Sequence, residues 1–226
     1  MTHLELVTDD RTADGGGPFD EGTPLPRCLP PGRHGIPANL VVEHQRLRLI
    51  AAMAEALSAH GYGGITTTHV SKGANVSTST FYKHFGNLWD CALAAYVAGA
   101  DRLCERIEAA CAARDPRTDP LAVGIDAALS LFTAEPPLAQ LLSIQPPLEA
   151  PAIAAARRLL ISRLAAMLRR GRGPADAVAQ PPGLDERLID ATLAFLSMRI
   201  AAGRTEDLTD LGPELTAILD RSRRAA

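Results

Sequence analysis

Between Gly73 and Phe85 the chain reads GANVSTSTFYKHF. Four hydroxyl side chains, Ser77 to Thr80, are followed closely by the Tyr82 phenol, the Lys83 ammonium and the His84 imidazole. At about 100° per residue on a helix, Phe81 and Phe85 fall on one side, and Ser79 and Lys83 on the other, flanked by Thr80 and Tyr82. The aromatic side is a core face. The other side carries groups suited to a nucleic-acid groove. Short hydroxyls approach base edges and phosphates, Lys83 supplies positive charge, and Tyr82 packs on sugar or donates to phosphate.

Local signals show how this stretch is positioned. Ser77 caps the helix that carries it, and Val76 with Phe81 forms a hydrophobic staple that fixes the entry angle. Upstream, Thr66 caps a short helix running to about Lys72. Gly73-Ala74-Asn75 breaks that helix, Asn75 being one of the few residues besides glycine that tolerates a left-handed backbone. Two helices joined by so short a turn make a helix-turn-helix, whose second helix normally enters the DNA major groove. Before it, Leu47, Ile50, Ala54 and Leu57 form the stripe of a longer helix that Asn39 can cap and Gly61, Gly63 and Gly64 end. After it, Asn87 and Asp90 mark the start of a long helix to about Arg114. Prolines then divide Ala- and Leu-rich segments into helices near 119–133, 137–144 and 150–171. A loop reading GRGPADAVAQPPG follows, then helices near 184–203 and 209–223. Strand signals and internal repeats are absent.

The chain has 226 residues, 46% hydrophobic and 4% aromatic, with a formal net charge of −3 and an isoelectric point near 6.1. It is therefore no polycation that coats nucleic acid or anionic lipid, and any such binding must be local. MTHLELVTDD lacks the basic and apolar regions of an export signal. The best apolar run, Leu188 to Ala202, is broken by Asp190 and Arg199. The expectation is a cytoplasmic protein with no membrane partner. Cys28, Cys91, Cys104 and Cys111 show no CxxC pairing and read as packing cysteines. Residues 1–37, rich in Gly, Pro and acids, read as a disordered arm. Arg27, Arg33 and His34 at its end can be drawn either as a basic arm reaching a minor groove or as part of a solvated tail, and the acids before them favour the tail.

The segment HGYGGITTTHVSKGANVSTSTFYKHFGN resembles the DNA-binding segment of the TetR family of transcriptional regulators. Agreement runs through Gly61-Tyr62, Thr66-Thr67, Val70, Ala74, Val76-Ser77, Thr80-Phe81-Tyr82, His84-Phe85 and Asn87, over about residues 45–92. The resemblance implies an all-α homodimer. Its DNA-binding helix-turn-helix domain would be 38–86, and 87–226 a larger helical body for ligand binding and dimerisation. It implies DNA contacts from Thr66, Thr67, Thr78, Ser79, Thr80, Tyr82, Lys83 and His84. Asn75 and Ser79 stand where the family commonly has glycine. Leu88 stands where it commonly has a phosphate-binding lysine, which weakens backbone anchoring.

All six histidines lie within the first 84 residues, and no GxSxG, phosphate loop or GxGxxG motif is present. No enzyme activity, metal or cofactor is therefore expected. The helix from Leu184 is apolar on two sides, one through Leu188, Thr192 and Phe195. With Leu215, Ile218 and Leu219 of the last helix this face implies, by the resemblance, a four-helix dimer interface. Such a two-fold dimer presents its reading helices about 34 Å apart, to a near-palindromic operator in double-stranded DNA. Family likeness also implies an effector pocket. Polar Ser130 and Gln140, with Tyr96, Phe132, Met167 and Phe195, are candidates to line it, and the few charges on those stripes favour a hydrophobic small molecule. The reading is a repressor released by that effector. The alternative is a helical ligand-binding or scaffold protein that has lost DNA binding.

Overall fold

The computed structural model describes residues 38–170 and 181–224. The arm with Arg27, Cys28, Arg33 and His34, and residues 171–180 of the loop, lie outside the described residues. The chain divides into two compact units, Met1–His44 and Gln45–Ala226. Of the first, only the stretch from Ala38 is described.

The described residues form helices and connecting turns. The helices are α1 (Ala38–Gly64), α2 (Thr67–Gly73), α3 (Thr78–His84), α4 (Leu88–Ala113), α5 (Pro120–Ala134), α6 (Pro136–Ser143), α7 (Pro151–Arg170), α8 (Leu184–Ala201) and α9 (Gly212–Arg224), with a 3-10 turn at Thr209–Leu211 before α9. No single described helix is long and apolar enough to cross a membrane. Asn39 lies inside the first turn of α1 and does not cap it, because the helix already begins at Ala38. Gly61, at φ 63°, interrupts α1 three residues before its end.

The short helices owe their boundaries to side chains. Thr66 Oγ1 accepts from His69 N (3.3 Å) and Ser77 Oγ from Thr80 N (3.0 Å). Each supplies a partner for a donor that the first turn leaves open. Asn75 has φ 50° and is the one non-glycine with positive φ among the described residues. Arg48 from α1 donates to the carbonyls of Ala74 and Asn75, so the turn is gripped from outside as well as bent from within. Phe81 is fully buried and Phe85 nearly so, beside Leu49, Met53 and Cys91.

α4 passes from this head into the body. Its early residues Cys91, Ala92 and Ala95 belong to the same buried cluster as Leu49 and Phe81, while Leu103 and Cys104 are buried further along. In the body α4 packs on α5 and α7, α6 and α7 both pack on α8, and α5 packs on α9. The two ion pairs Arg163–Asp101 (2.6 Å) and Arg170–Glu108 (3.5 Å) advance together along both chains, so α4 and α7 run parallel. α4 and α6 approach closely at Gly99: a Cβ there would lie 2.6 Å from Leu138 Cδ1. Lacking a side chain, Gly99 lets α6 lie directly against α4.

Phe81→Ala is expected to destabilise the chain by about 3–5 kcal/mol, read by chemical denaturation. A loss below 1 kcal/mol would mean that α3 is not anchored through this ring.

Candidate nucleic-acid interface and ligand cavity

On α3, Thr78, Ser79, Tyr82 and Lys83 are exposed, opposite buried Phe81. Tyr82 is 57% exposed, a high figure for an aromatic ring, and it is held edge-on against Phe81 with centroids 5.4 Å apart. Thr78, Ser79, Tyr82 and Lys83 therefore share an exposed side of α3, while two other residues expected to meet DNA are partly committed. Thr80 is half-buried, and its hydroxyl lies 2.9 Å from Ser77 Oγ. His84 is half-buried, with Nε2 3.2 Å from Gln45 Oε1. Thr66 is exposed at the start of α2, whereas Thr67 is half-buried. Thr78, Ser79, Tyr82 and Lys83 are thus the residues best placed to meet a groove, with Thr66 beside them.

The electrostatics of the head differ from those of the whole chain. From Ala56 to Trp89 the sequence contains no acid, yet it carries Lys72 and Lys83, both exposed. In a net-negative molecule this stretch thus carries only positive fixed charge, the sign that phosphate attracts. That pattern was legible in the sequence. The grip of Arg48 on the turn and the placement of Arg46 over the Phe85 ring at 5.2 Å were not, since both join α1 to residues far along the chain. Leu88, half-buried, packs against the core at the start of α4. It brings no charge to the helix end, where Asn87 and Asp90 cap each other at 3.0 Å.

In the body, α4, α5, α7, α8 and α9 line a partly open cavity of about 350 Å³. This lies toward the small end of the range for ligand sites. Its wall is mostly apolar: Leu103 and Ile107 from α4, Ile125 and Leu129 from α5, Leu164 from α7 and Leu196 from α8. Gly124 and Ala128 leave room between the larger side chains. Glu108, Arg114 and Arg170 supply its charged groups.

Of the expected pocket residues, Phe132 and Met167 line this cavity, while Tyr96, Ser130, Gln140 and Phe195 do not. Tyr96 is fully buried on the head side of Leu103. Ser130 lies on a separate groove with Arg102 and Arg106. Gln140 accepts a hydrogen bond from Ser58 Oγ at 2.9 Å, tying α6 to α1. Phe195 is half-buried against the core. Among the residues expected at a dimer face, Thr192, Leu215 and Leu219 instead line the cavity. Leu188 and Phe195 are half-buried, and Ile218 is 42% exposed. The outward stripe of α8 is Ala191, Ala194, Met198 and Ala201, with Met198 66% exposed. The rotation of α8 about its axis decides which apolar stripe turns inward, and helical periodicity alone leaves that rotation open.

The thiols differ in environment. Cys91 and Cys104 are fully buried, and burial pushes the Cys91 thiol up to about 12 and the Cys104 thiol upward. Cys111 is half-buried in the cavity wall, its Sγ 3.7 Å from the Pro120 carbonyl. Among the described residues no group of three His, Cys, Asp or Glu side chains could hold a metal ion.

Residues 49–94 match the family model for "Bacterial regulatory proteins, tetR family". No curated protein sequence matches the chain. Among solved structures, the chain is similar to the transcriptional regulator FadR from Bacillus subtilis in complex with stearoyl-CoA. The identity is 21% and the TM-score 0.62, covering 76% of this chain and 96% of that one. The fatty acid degradation regulator FadR from Bacillus halodurans is 18% identical, with TM-score 0.66 and coverage of 77% and 94%. The TetR family regulator PfmR from Thermus thermophilus is 18% identical, with TM-score 0.55 and coverage of 76% and 92%. At these identities the likeness establishes the fold.

In a Cys28→Ser background, a thiol reagent at pH 8 is expected to modify Cys111 quickly, and Cys91 and Cys104 only on unfolding. Nile red, an uncharged apolar dye, should slow Cys111. Rapid modification of all three thiols in the folded protein would contradict the packing described.

Proposed function

We propose that this chain, whose residues 49–94 match the model for the TetR family of bacterial regulatory proteins, is a DNA-binding transcriptional repressor released from its operator by a small apolar effector. One observation carries the reading: an acid-free, hydroxyl-bearing face on α3 and a largely apolar cavity in the body are joined by the single helix α4. We assign residues 38–86 to DNA reading and 87–226 to effector binding and dimerisation, and we place the protein in the cytoplasm. It acts as a regulator and not as an enzyme.

On DNA, Thr78 and Ser79 meet base edges, and Lys83, Tyr82 and Thr66 meet the backbone. Two copies join through α8 and α9. The exposed Ala191, Ala194 and Met198 stripe allows close approach of a symmetry-related helix, flanked by Leu188, Phe195 and Ile218. The two-fold axis then sets two α3 helices in successive major grooves of a near-palindrome.

The cavity suits an apolar chain, and Arg114 and Arg170 suit an anionic head group. FadR from Bacillus subtilis is described in complex with stearoyl-CoA, and an acyl thioester of that kind fits both features here. An occupant that spreads α4 from α5 and α7 favours a spacing of the two heads that no longer matches the operator. The effector thereby shifts the population away from the DNA-binding state.

Selection from random duplex DNA is expected to enrich a near-palindrome, and a medium-chain acyl-CoA should release it. Lys83→Ala should weaken binding to the selected duplex and reduce the slope of log affinity against log salt by about 1.8, since each of the two protomers loses one phosphate contact. Met198→Glu should convert dimer to monomer in sedimentation. No enrichment from folded dimeric protein would overturn the assignment.

A further inference from the structure

Arg157 stands on the inner face of α7 among Ile153, Leu160 and Ile161, and it is only 5% exposed. Its Nη1 is paired with Asp190 of α8. Its Nε and Nη2 are buried without a hydrogen-bond partner, as are the hydroxyls of Tyr96 on α4 and Tyr62 near the end of α1. The parallel pairing of Arg163 with Asp101 and of Arg170 with Glu108 sets Arg157 level with Ala95 on α4, next to Tyr96. Burial raises the Tyr96 phenol despite the opposing pull of Arg157, and Tyr62 raises it further. Burial also pushes the Tyr62 phenol up to about 12. Both phenols therefore keep their protons at neutral pH and can donate.

We propose that Arg157, Tyr96 and Tyr62 form a binding site for a carboxylate, separate from the apolar cavity. A guanidinium can only donate, so the open positions on Arg157 call for an acceptor, and either phenol can add a second donor to it. Leaving such donors buried and unpaired is costly. The Nε and Nη2 edge matches the two oxygens of a carboxylate in a parallel fork. Charge favours a monoanion over a phosphate. Asp190, 47% of whose side chain is exposed, already offsets part of the single cation. The cavity begins at Leu103 and Leu164. Each lies two turns along its helix from Tyr96 or Arg157, about 10 Å at 1.5 Å per residue. An occupant of one site therefore leaves the other open. Because Tyr62 follows the Gly61 break in α1, a ligand here bridges the head and the body.

The chain's one tryptophan is a built-in reporter: the Trp89 ring lies 6.0 Å from that of Tyr62. Sodium acetate, titrated against sodium chloride at equal ionic strength, is expected to change Trp89 emission saturably and raise Tm, where chloride does neither. Tyr96→Phe, which removes only the hydroxyl, should weaken acetate binding about tenfold, and Arg157→Met should abolish it. If Arg157→Met does not fold, Tyr96→Phe carries the test. Acetate, too short to span the distance between the two sites, is also run with Nile red in the cavity, which separates this site from the end of a long cavity-bound effector. The proposal expects the Trp89 response without dye displacement. Coincident acetate and chloride titrations, a Tyr96→Phe protein that binds acetate like the wild type, or a carboxylate response seen only with dye displacement would each overturn the proposal. Operator binding is measured separately, so its failure would not bear on this site.

Discussion

The architecture depends on α4 being one unbroken helix with two sets of neighbours. Its first turns share a buried cluster with Leu49, Phe81 and Phe85, and its later turns wall the cavity through Leu103, Ile107 and Cys111. A helix resists bending because each turn is hydrogen-bonded to the next. A displacement imposed at Leu103 must therefore be taken up at the head end, where Cys91 and Ala92 pack. The close approach at Gly99 tightens this connection: α6 bears directly on α4, and from the same short helix Gln140 reaches Ser58 on α1. The head is thus held to the body by a continuous rod and a side-chain tie.

The body is fastened laterally by pairs of unequal worth. Arg163–Asp101 and Arg170–Glu108 are solvent-facing, and such pairs contribute about 0–1 kcal/mol each. They align α4 with α7 more than they stabilise it. Arg157–Asp190 is different, because the guanidinium is buried. Removing one member of a buried pair leaves an uncompensated charge. The loss of this contact would be felt, and it lies at the level of Tyr96, between the cavity and the head.

Features set by neighbours in sequence were readable beforehand. The caps at Thr66, Ser77 and Asn87, the left-handed Asn75 and the opposition of Phe81 to Ser79 and Lys83 follow from short-range sterics and hydrogen bonding. They appear in the structure as expected. The commitment of Thr80 to the Ser77 cap was also within reach, being only three residues away. Positions that depend on how whole helices rotate were not readable. Leu215 and Leu219 have the spacing of a partner-facing stripe but turn into the cavity, while Tyr96 and Gln140 face the head end and not the pocket. Arg157 left a trace, a charged residue at a stripe position between Ile153 and Leu160. Its partner Asp190 could be named only once α7 and α8 lay side by side.

The central claim is that the reading face and the cavity are energetically coupled, and coupling of binding free energies is reciprocal. The most direct measurement is the affinity of the cavity for Nile red in the presence and absence of the selected operator duplex. The account predicts that operator weakens dye binding several-fold while a scrambled duplex leaves it unchanged. Equal dye affinity with and without operator, under conditions where the duplex is bound, would contradict it.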